Sequence, residues 1–266
     1  VHPEAFSLFG FSIYWYGIFA AIGFLTAFGT GSRRAARENL PKESIMNLAP
    51  WIIFGAIIGA RLLYVITFWR EDFAGKPLYH IITIGRSGLV FYGGLIGASL
   101  GTIIYCWKNK LPLWKIADVM APSVALGHAF GRIGCLMTGC CYGRGCKVPW
   151  AIHFPESHPT HGLPVHPVQI YESLLNFTFY GLLMLFYRRK KFDGQIFCIY
   201  LIGYAILRAF TESFRGDYDI APGAGLTPGQ STGIIIFAIG AALWFWLSQR
   251  PAGRRAPAPV PPPAHG

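Results

Sequence analysis

The chain has 266 residues, a length that suits one large or two ordinary soluble domains. Its composition excludes that: 53% hydrophobic against 13% charged residues, with a mean hydropathy of +0.41, is too apolar for a soluble surface of this size. A formal net charge of +11 and a pI near 9.5 point either to a nucleic-acid patch or to a topology signal, and the positions of the charges decide between them.

In chain order, seven apolar stretches are each long enough, at about 17–25 residues, to cross a bilayer core as a helix. They run Leu8–Thr30, Asn47–Trp69, Gly88–Trp107, Leu113–Gly131, Val168–Tyr187, Gln195–Phe214 and Ser231–Ser248. The second carries Gly55-x-x-x-Gly59 and the third Gly93-x-x-x-Gly97-x-x-x-Gly101, spacings that put glycine on one helix face and let a neighbouring backbone approach. The first stretch is a full span without a basic leader, so no cleavable signal peptide is expected.

Fourteen of the 23 Lys and Arg follow the odd-numbered spans: Arg33, Arg34, Arg37 and Lys42; Lys108, Lys110 and Lys115; Arg188–Lys191; Arg250, Arg254 and Arg255. Seven lie in the loops of the other side, Arg86 among them, and Arg61 and Arg208 fall within spans. By the positive-inside rule the N-terminus faces outward and the C-terminus the cytoplasm. Charge divided among four loops does not make a nucleic-acid surface. One membrane domain is expected over residues 1–250, and Pro251–Gly266, rich in Pro and Ala, reads as a disordered cytoplasmic tail.

Ionisable groups within spans are functional candidates. Arg132 lies four residues after His128, and Glu212 four after Arg208, so each pair shares a helix face. Arg61 serves either packing or a site, and a structural role is favoured for Asp118. Arg132, Arg208 and Arg215 fall at the outer ends of their spans; converging there, they would bind an anionic group, the abundant one being a phospholipid head group. Glu172 is a further intramembrane carboxylate. The outer loop between spans four and five holds Cys135, Cys140, Cys141 and Cys146. A metal site with His128 or His153 as added ligand is one reading, but C-x4-CC-x4-C is not a zinc spacing. A disulfide, or a small pocket residue at Cys140, are the others, and no metal or cofactor is expected. Gly97-Ala98-Ser99-Leu100-Gly101 fits G-x-S-x-G but lies within an apolar helix, where a nucleophile elbow does not form. The series His153, His158, His161, His166 lacks ligand spacing and is expected to be mostly solvated.

On Gly131-Arg132-Ile133-Gly134 continuing to Gly143, the chain resembles the prolipoprotein diacylglyceryl transferases of bacterial inner membranes. Further matches are Tyr14-Trp15-Tyr16-Gly17, Gly59–Tyr64, Phe91–Gly97 with its Gly93-Gly94 pair, His166–Glu172, Tyr204 with Arg208, Glu212 and Arg215, and Gly229-Gln230-Ser231. The resemblance implies transfer of the diacylglyceryl group of phosphatidylglycerol to the lipobox cysteine of a preprolipoprotein, by a monomer without cofactor. It implies that Arg132 and Arg208 hold the phosphate and that Glu212 orients Arg208. Tyr14, Tyr16, Arg61, Gly93, Gly94, Cys135, Cys140, Tyr204 and Arg215 would line the substrate site. Gly143 would keep the loop close to substrate, with His166, Gln169 and Glu172 as loop support. The family often has His where this chain has Tyr92, a proposed base, and tyrosine is a poor base at neutral pH. His128, one turn before Arg132, is the substitute expected from its position. The competing classes are a non-catalytic head-group binder or lipid transporter, for which no internal repeat is found, and an intramembrane protease, which the misplaced G-x-S disfavours.

Overall fold

A computed structural model describes residues 3–8, 11–77, 79–82, 88–217 and 225–250. The tail Pro251–Gly266, with Arg254 and Arg255, and Arg86 lie outside the described residues. In chain order the elements are β1 (Glu4–Leu8), β2 (Phe11–Tyr14), α1 (Trp15–Arg37), α2 (Lys42–Thr67), a π-helical turn Trp69–Phe73, α3 (Tyr79–Ile82), α4 (Phe91–Lys108), α5 (Leu113–Thr138), β3 (Ile152–His153), β4 (Pro164–Val165), α6 (Val168–Tyr187), α7 (Gln195–Glu212) and α8 (Pro228–Ser248).

Each of the seven expected spans contains a long helix, and among the described residues four of these, Glu43–Thr67, Leu113–Thr138, Gln195–Glu212 and Gly229–Ser248, are long and apolar enough to cross a membrane. The outer face of α2 supports the same reading. Phe54, Ile58, Leu62 and Ile66 recur every four residues and are all more than half exposed, an apolar stripe that water would not tolerate and lipid would.

Three boundaries differ most from expectation. The strands Glu4–Leu8 and Phe11–Tyr14 pair antiparallel, with Glu4 opposite Tyr14 and Ser7 opposite Ser12, so the first helix starts at Trp15, not at Leu8. An apolar run rich in aromatic and β-branched residues is as compatible with a strand as with a helix, and apolarity alone does not separate them. At its other end α1 continues to Arg37 and contains Arg33 and Arg34, the latter buried. The fourth span runs seven residues beyond Gly131, to Thr138, so Arg132 and Cys135 stand on a helix rather than in a loop. Gly134 is no turn signal here: a Cβ on it would sit 3.1 Å from the Tyr16 ring, so its missing side chain admits α1 beside α5.

The chain divides into two compact units, Ser32–Ile116 and a second made of Val1–Gly31 with Ala117–Gly266. Within Ser32–Ile116 the seam is glycine on glycine. Cβ atoms built on Gly55, Gly59, Gly93 and Gly97 would collide with the backbone of the facing helix, which places the α2 and α4 backbones in direct contact. Gly93, expected at the substrate site, is part of this helix packing, while Gly94 has ordinary room. Arg61 is likewise engaged: its Nε, Nη1 and Nη2 donate to the carbonyls of Ile81 (2.7 Å), Gly88 (3.1 Å) and His80 (2.6 Å), and its guanidinium lies over Tyr64 and Phe73. A guanidinium holding three carbonyls organises the chain after α2 and is poorly placed to bind a substrate phosphate as well.

In the other unit, Ala121 and Ala125 of α5, Phe179 and Leu183 of α6 and Ile196 of α7 form the buried core. Asp118, fully buried on α5, accepts from the backbone N–H of Gly194 (2.8 Å) and Phe197 (3.0 Å) and pairs with Lys190 (3.3 Å). A carboxylate at the N-terminus of α7 satisfies its orphan donors and complements its dipole, so Asp118 is structural. The α8 start carries a capping box: Thr227 Oγ1 accepts from Gln230 N–H (3.0 Å) and Gln230 Oε1 from Thr227 N–H (3.1 Å).

Candidate active site

The helix packing just described brings one carboxylate between two arginines. Glu172, 4% exposed in the second turn of α6, ion-pairs through Oε2 with Arg132 Nε of α5 and through Oε1 with Arg208 Nη1 of α7 at 3.2 Å. Arg208 Nη2 reaches Glu212 Oε2 at 2.7 Å across one helical turn. Glu212, 3% exposed, is fixed in turn: its Oε1 accepts from Thr227 Oγ1 (2.9 Å) and from Gly229 N–H (3.2 Å) at the start of α8. A side chain on Gly229 would collide with that carboxyl. Four helices thus feed one chain of charges, Arg132–Glu172–Arg208–Glu212. Buried charges are tolerated in this form because each has an opposite partner; removing one leaves a neighbour uncompensated.

Glu172 was expected to support the loop, yet it holds the two phosphate-binding candidates together. Its role is hidden in the sequence because 36 residues separate it from Arg208, and only the packing of α6 on α7 makes them neighbours. The available signal was its place as a carboxylate at the mouth of a span. Asn176, one turn on, donates from Nδ2 to the Glu172 carbonyl (2.8 Å) and was not anticipated.

His128 and Arg132 share a helix face, and Arg132 Nε donates to His128 Nε2 at 3.1 Å. That changes the reading of His128 as base: the nitrogen that would take a proton already accepts from a guanidinium. The bond positions Arg132 instead. With Nε held by His128 and Glu172, the two terminal nitrogens of Arg132 have no partner among the described residues. Tyr204 packs near His128, its ring 5.8 Å away. His128, Glu172, Asn176, Tyr204 and Arg208 line a cleft of about 10 Å³. That is the room of roughly one water, so a lipid head group enters only if the cleft opens. Arg215 lies within electrostatic reach of both Arg132 and Glu172. It is held by Asp217, with Nε on Oδ1 at 2.9 Å.

The loop after α5 is built rather than loose. Gly143 forms an isolated bridge with Arg215, its N–H donates to the His166 carbonyl (3.2 Å), and Arg144 N–H donates to the Phe214 carbonyl (2.9 Å). A Cβ on Gly143 would collide with His166 and Val168, so this glycine allows close packing onto the start of α6. Gln169, 1% exposed, donates from Nε2 to the Cys140 carbonyl at 2.8 Å. His166 Nδ1 lies 3.3 Å from Tyr171 OH, and Tyr171 accepts from Trp150 Nε1 at 2.6 Å. His153 and His161 are exposed. His158 departs from the expected solvated series: it stacks on Phe154 and bonds the Gly139 carbonyl at 2.8 Å.

The sulfurs of Cys135, Cys140 and Cys141 all lie within 4.8 Å of one another, whereas Cys146 is outside the group. Hydrogen bonds from Cys135 and Cys140, then the charges of Arg132 and Arg215, hold the Cys141 thiol well below its ordinary pKa. Tyr14, on β2, and Tyr16, on α1, are both about half exposed, Tyr16 beside Gly134 on α5. Tyr92, in the other unit, is 46% exposed and meets Phe91 edge to face.

These features define a multi-pass membrane protein whose ionisable centre is an arginine pair shared by one carboxylate. The profile of the prolipoprotein diacylglyceryl transferase family matches residues 3–246, and the chain belongs to that family. Among its relatives, the phosphatidylglycerol–prolipoprotein diacylglyceryl transferase of Finegoldia magna is 40% identical over 214 residues, covering 80% of this chain and 83% of that protein. Its namesake in Clostridium tetani is 36% identical, covering 81% of this chain and 86% of that one. The one in Gloeobacter violaceus is 31% identical over 262 residues and 96% of each chain.

Proposed function

We propose that the chain transfers the diacylglyceryl group of phosphatidylglycerol to the thiol of a lipobox cysteine in a preprolipoprotein, releasing glycerol phosphate. The observation that carries the site assignment is the state of Arg132: anchored through Nε, tied through Glu172 to Arg208, and with its terminal fork unengaged among the described residues. A guanidinium fork matches two phosphate oxygens and keeps its charge at any relevant pH. The sulfur–carbon bond forms as the carbon–oxygen bond to the phosphate breaks, and charge grows on the departing phosphate. Fixed guanidiniums meet that charge without reorganising. Glu172 and Glu212 set the two arginines in place, and His128 positions Arg132. Tyr16 and Tyr204 shape the head-group site, and Tyr14, Arg215, Cys135 and Cys140 complete its polar margin.

The chain is read as one seven-span domain over residues 1–250, monomeric, in the bacterial inner membrane, with the N-terminus periplasmic, the C-terminus cytoplasmic and the catalytic loop facing the periplasm. The distribution of Lys and Arg supports that orientation.

Purified protein incubated with phosphatidylglycerol and a lipobox peptide is expected to yield the peptide with a diacylglyceryl thioether, detected by mass. A head-group binder or transporter on the same scaffold forms a lipid complex and no thioether, and that result would remove the transferase assignment.

A further inference from the structure

A transferase of this kind needs its acceptor sulfur as thiolate, and a free cysteine thiol, with a pKa of about 8.5, is mostly protonated at neutral pH. No suitable base is at hand among the described residues: Tyr92, where the family often has His, is a poor base at neutral pH, and His128 Nε2 accepts from Arg132. A second chemistry stands one helical turn from Arg132. Cys135 is three residues after it on α5, and the chain then reverses through Gly139 (φ +78°) and Cys141 (φ +59°), the latter a left-handed conformation uncommon outside glycine. The reversal lays the Cys140 and Cys141 sulfurs over that of Cys135, all three within 4.8 Å of one another. The turn is held from below by buried Gln169, which donates to the Cys140 carbonyl at 2.8 Å, and from beside by Thr138, whose Oγ1 lies 3.3 Å from Cys140 Sγ.

We propose that Cys135, Cys140 and Cys141 form a three-thiolate site for a thiophilic divalent ion of the zinc class, whose fourth position takes the sulfur of the acceptor cysteine. The identity of the fourth ligand rests on the transferase reading; the metal site itself does not.

The donor set selects the ion. Three sulfurs with no oxygen ligand favour a soft or borderline ion over magnesium or calcium. With metal–sulfur bonds of about 2.3 Å, tetrahedral geometry separates ligand sulfurs by about 3.8 Å, so the cluster closes by at most about an ångström. Three protein ligands and one open position is the arrangement of a reactive site rather than a closed structural one. The open side falls toward Cys140, which is exposed while Cys135 and Cys141 are half-buried. Charge also fits: three thiolates around a divalent ion leave a net negative charge, and Arg132 stands one turn away on the same helix. Coordination of the acceptor releases its thiol proton to solvent, as a coordinating thiol is deprotonated outright. The bound sulfur then attacks the glycerol carbon, the sulfur–carbon bond forms, and the carbon–oxygen electron pair leaves on glycerol phosphate. The metal remains divalent throughout, and nothing is oxidised or reduced. The thioether, uncharged and a weaker ligand than a thiolate, dissociates.

The test uses the full chain, purified in detergent without a metal-affinity tag, reduced, stripped with chelator and titrated with Co2+ under argon. The expected result is one Co2+ per chain, with a sulfur-to-cobalt charge-transfer band and the visible bands of tetrahedral cobalt, displaced by Zn2+. Cys135→Ser, Cys140→Ser and Cys141→Ser should each lose the charge-transfer band or most of it, while Cys146→Ser keeps it. Adding a lipobox peptide should shift the visible bands, and the same peptide with serine for cysteine should not. Absence of the charge-transfer band in the reduced wild-type protein, or its persistence in all three variants, overturns the site. An unchanged spectrum on adding peptide overturns the fourth-ligand assignment. Transfer measured on the same samples separates the two readings. Full turnover in stripped protein refutes the metal's part and leaves the transferase standing; cobalt binding without transfer from phosphatidylglycerol keeps the site and removes the transferase.

Discussion

Arg132→Ala is expected to lower kcat/KM for diacylglyceryl transfer on the order of 10²–10³-fold, the usual loss when one preorganised donor to a developing charge is removed. The fold should survive, because Glu172 keeps Arg208 at 3.2 Å and Arg208 keeps Glu212 at 2.7 Å. Arg132→Lys separates charge from shape. Lysine restores the positive charge but not the planar fork, so it should recover only a minor part of the lost rate. Steady-state transfer to a lipobox peptide, with gel filtration in detergent as the check on folding, measures both variants. Wild-type kinetics in a well-folded Arg132→Ala protein would take this residue out of the phosphate site.

Glu172→Ala should have the largest effect on stability. It strips the shared carboxylate from Arg132 and Arg208 together, and breaking a buried pair by removing one partner costs about 3–5 kcal/mol. In a chain of this size that corresponds to a fall in thermal midpoint of roughly 10 °C or more. The penalty arises from uncompensated guanidiniums, so Arg132→Ala in the Glu172→Ala background should restore part of the midpoint rather than lower it further. That non-additivity, read by a double-mutant cycle, distinguishes a shared ion pair from two independent packing losses. Arg208 retains Glu212 in every variant, which limits its own share of the effect.

How much of this was legible in the sequence depends on how local the signal is. The i,i+4 pairs His128–Arg132 and Arg208–Glu212 follow from helix geometry, and both become direct contacts, at 3.1 and 2.7 Å. The glycine spacings of α2 and α4 likewise become a backbone-to-backbone seam. Glu172 was visible as a costly carboxylate, but its two partners come from α5 and α7, and no local pattern states which faces of three helices will meet. The engagement of Arg61 was hidden for the same reason: the carbonyls of His80, Ile81 and Gly88 that it holds lie 19 to 27 residues away. The cysteine group was hidden by a backbone conformation. C-x4-CC matches no familiar ligand spacing, and the left-handed turn at Cys141 that brings the three sulfurs together has no composition signal in a residue other than glycine or asparagine. The fourth span was expected to end at Gly131, yet Gly131 and Gly134 both sit within α5, because a glycine does not by itself end a helix.

The claim on which the account stands is that Arg132 and Arg208 hold the phosphate of the donor lipid. An experimental structure of the protein with phosphatidylglycerol and no acceptor peptide tests it directly, since the lipid cannot react and should remain in place. The account predicts phosphate oxygens about 2.7–2.9 Å from the terminal nitrogens of Arg132, with Arg208 beside them and Glu172 still joining the pair. A phosphate bound out of reach of both arginines, with the cleft lined by His128 and Tyr204 still closed, would contradict it.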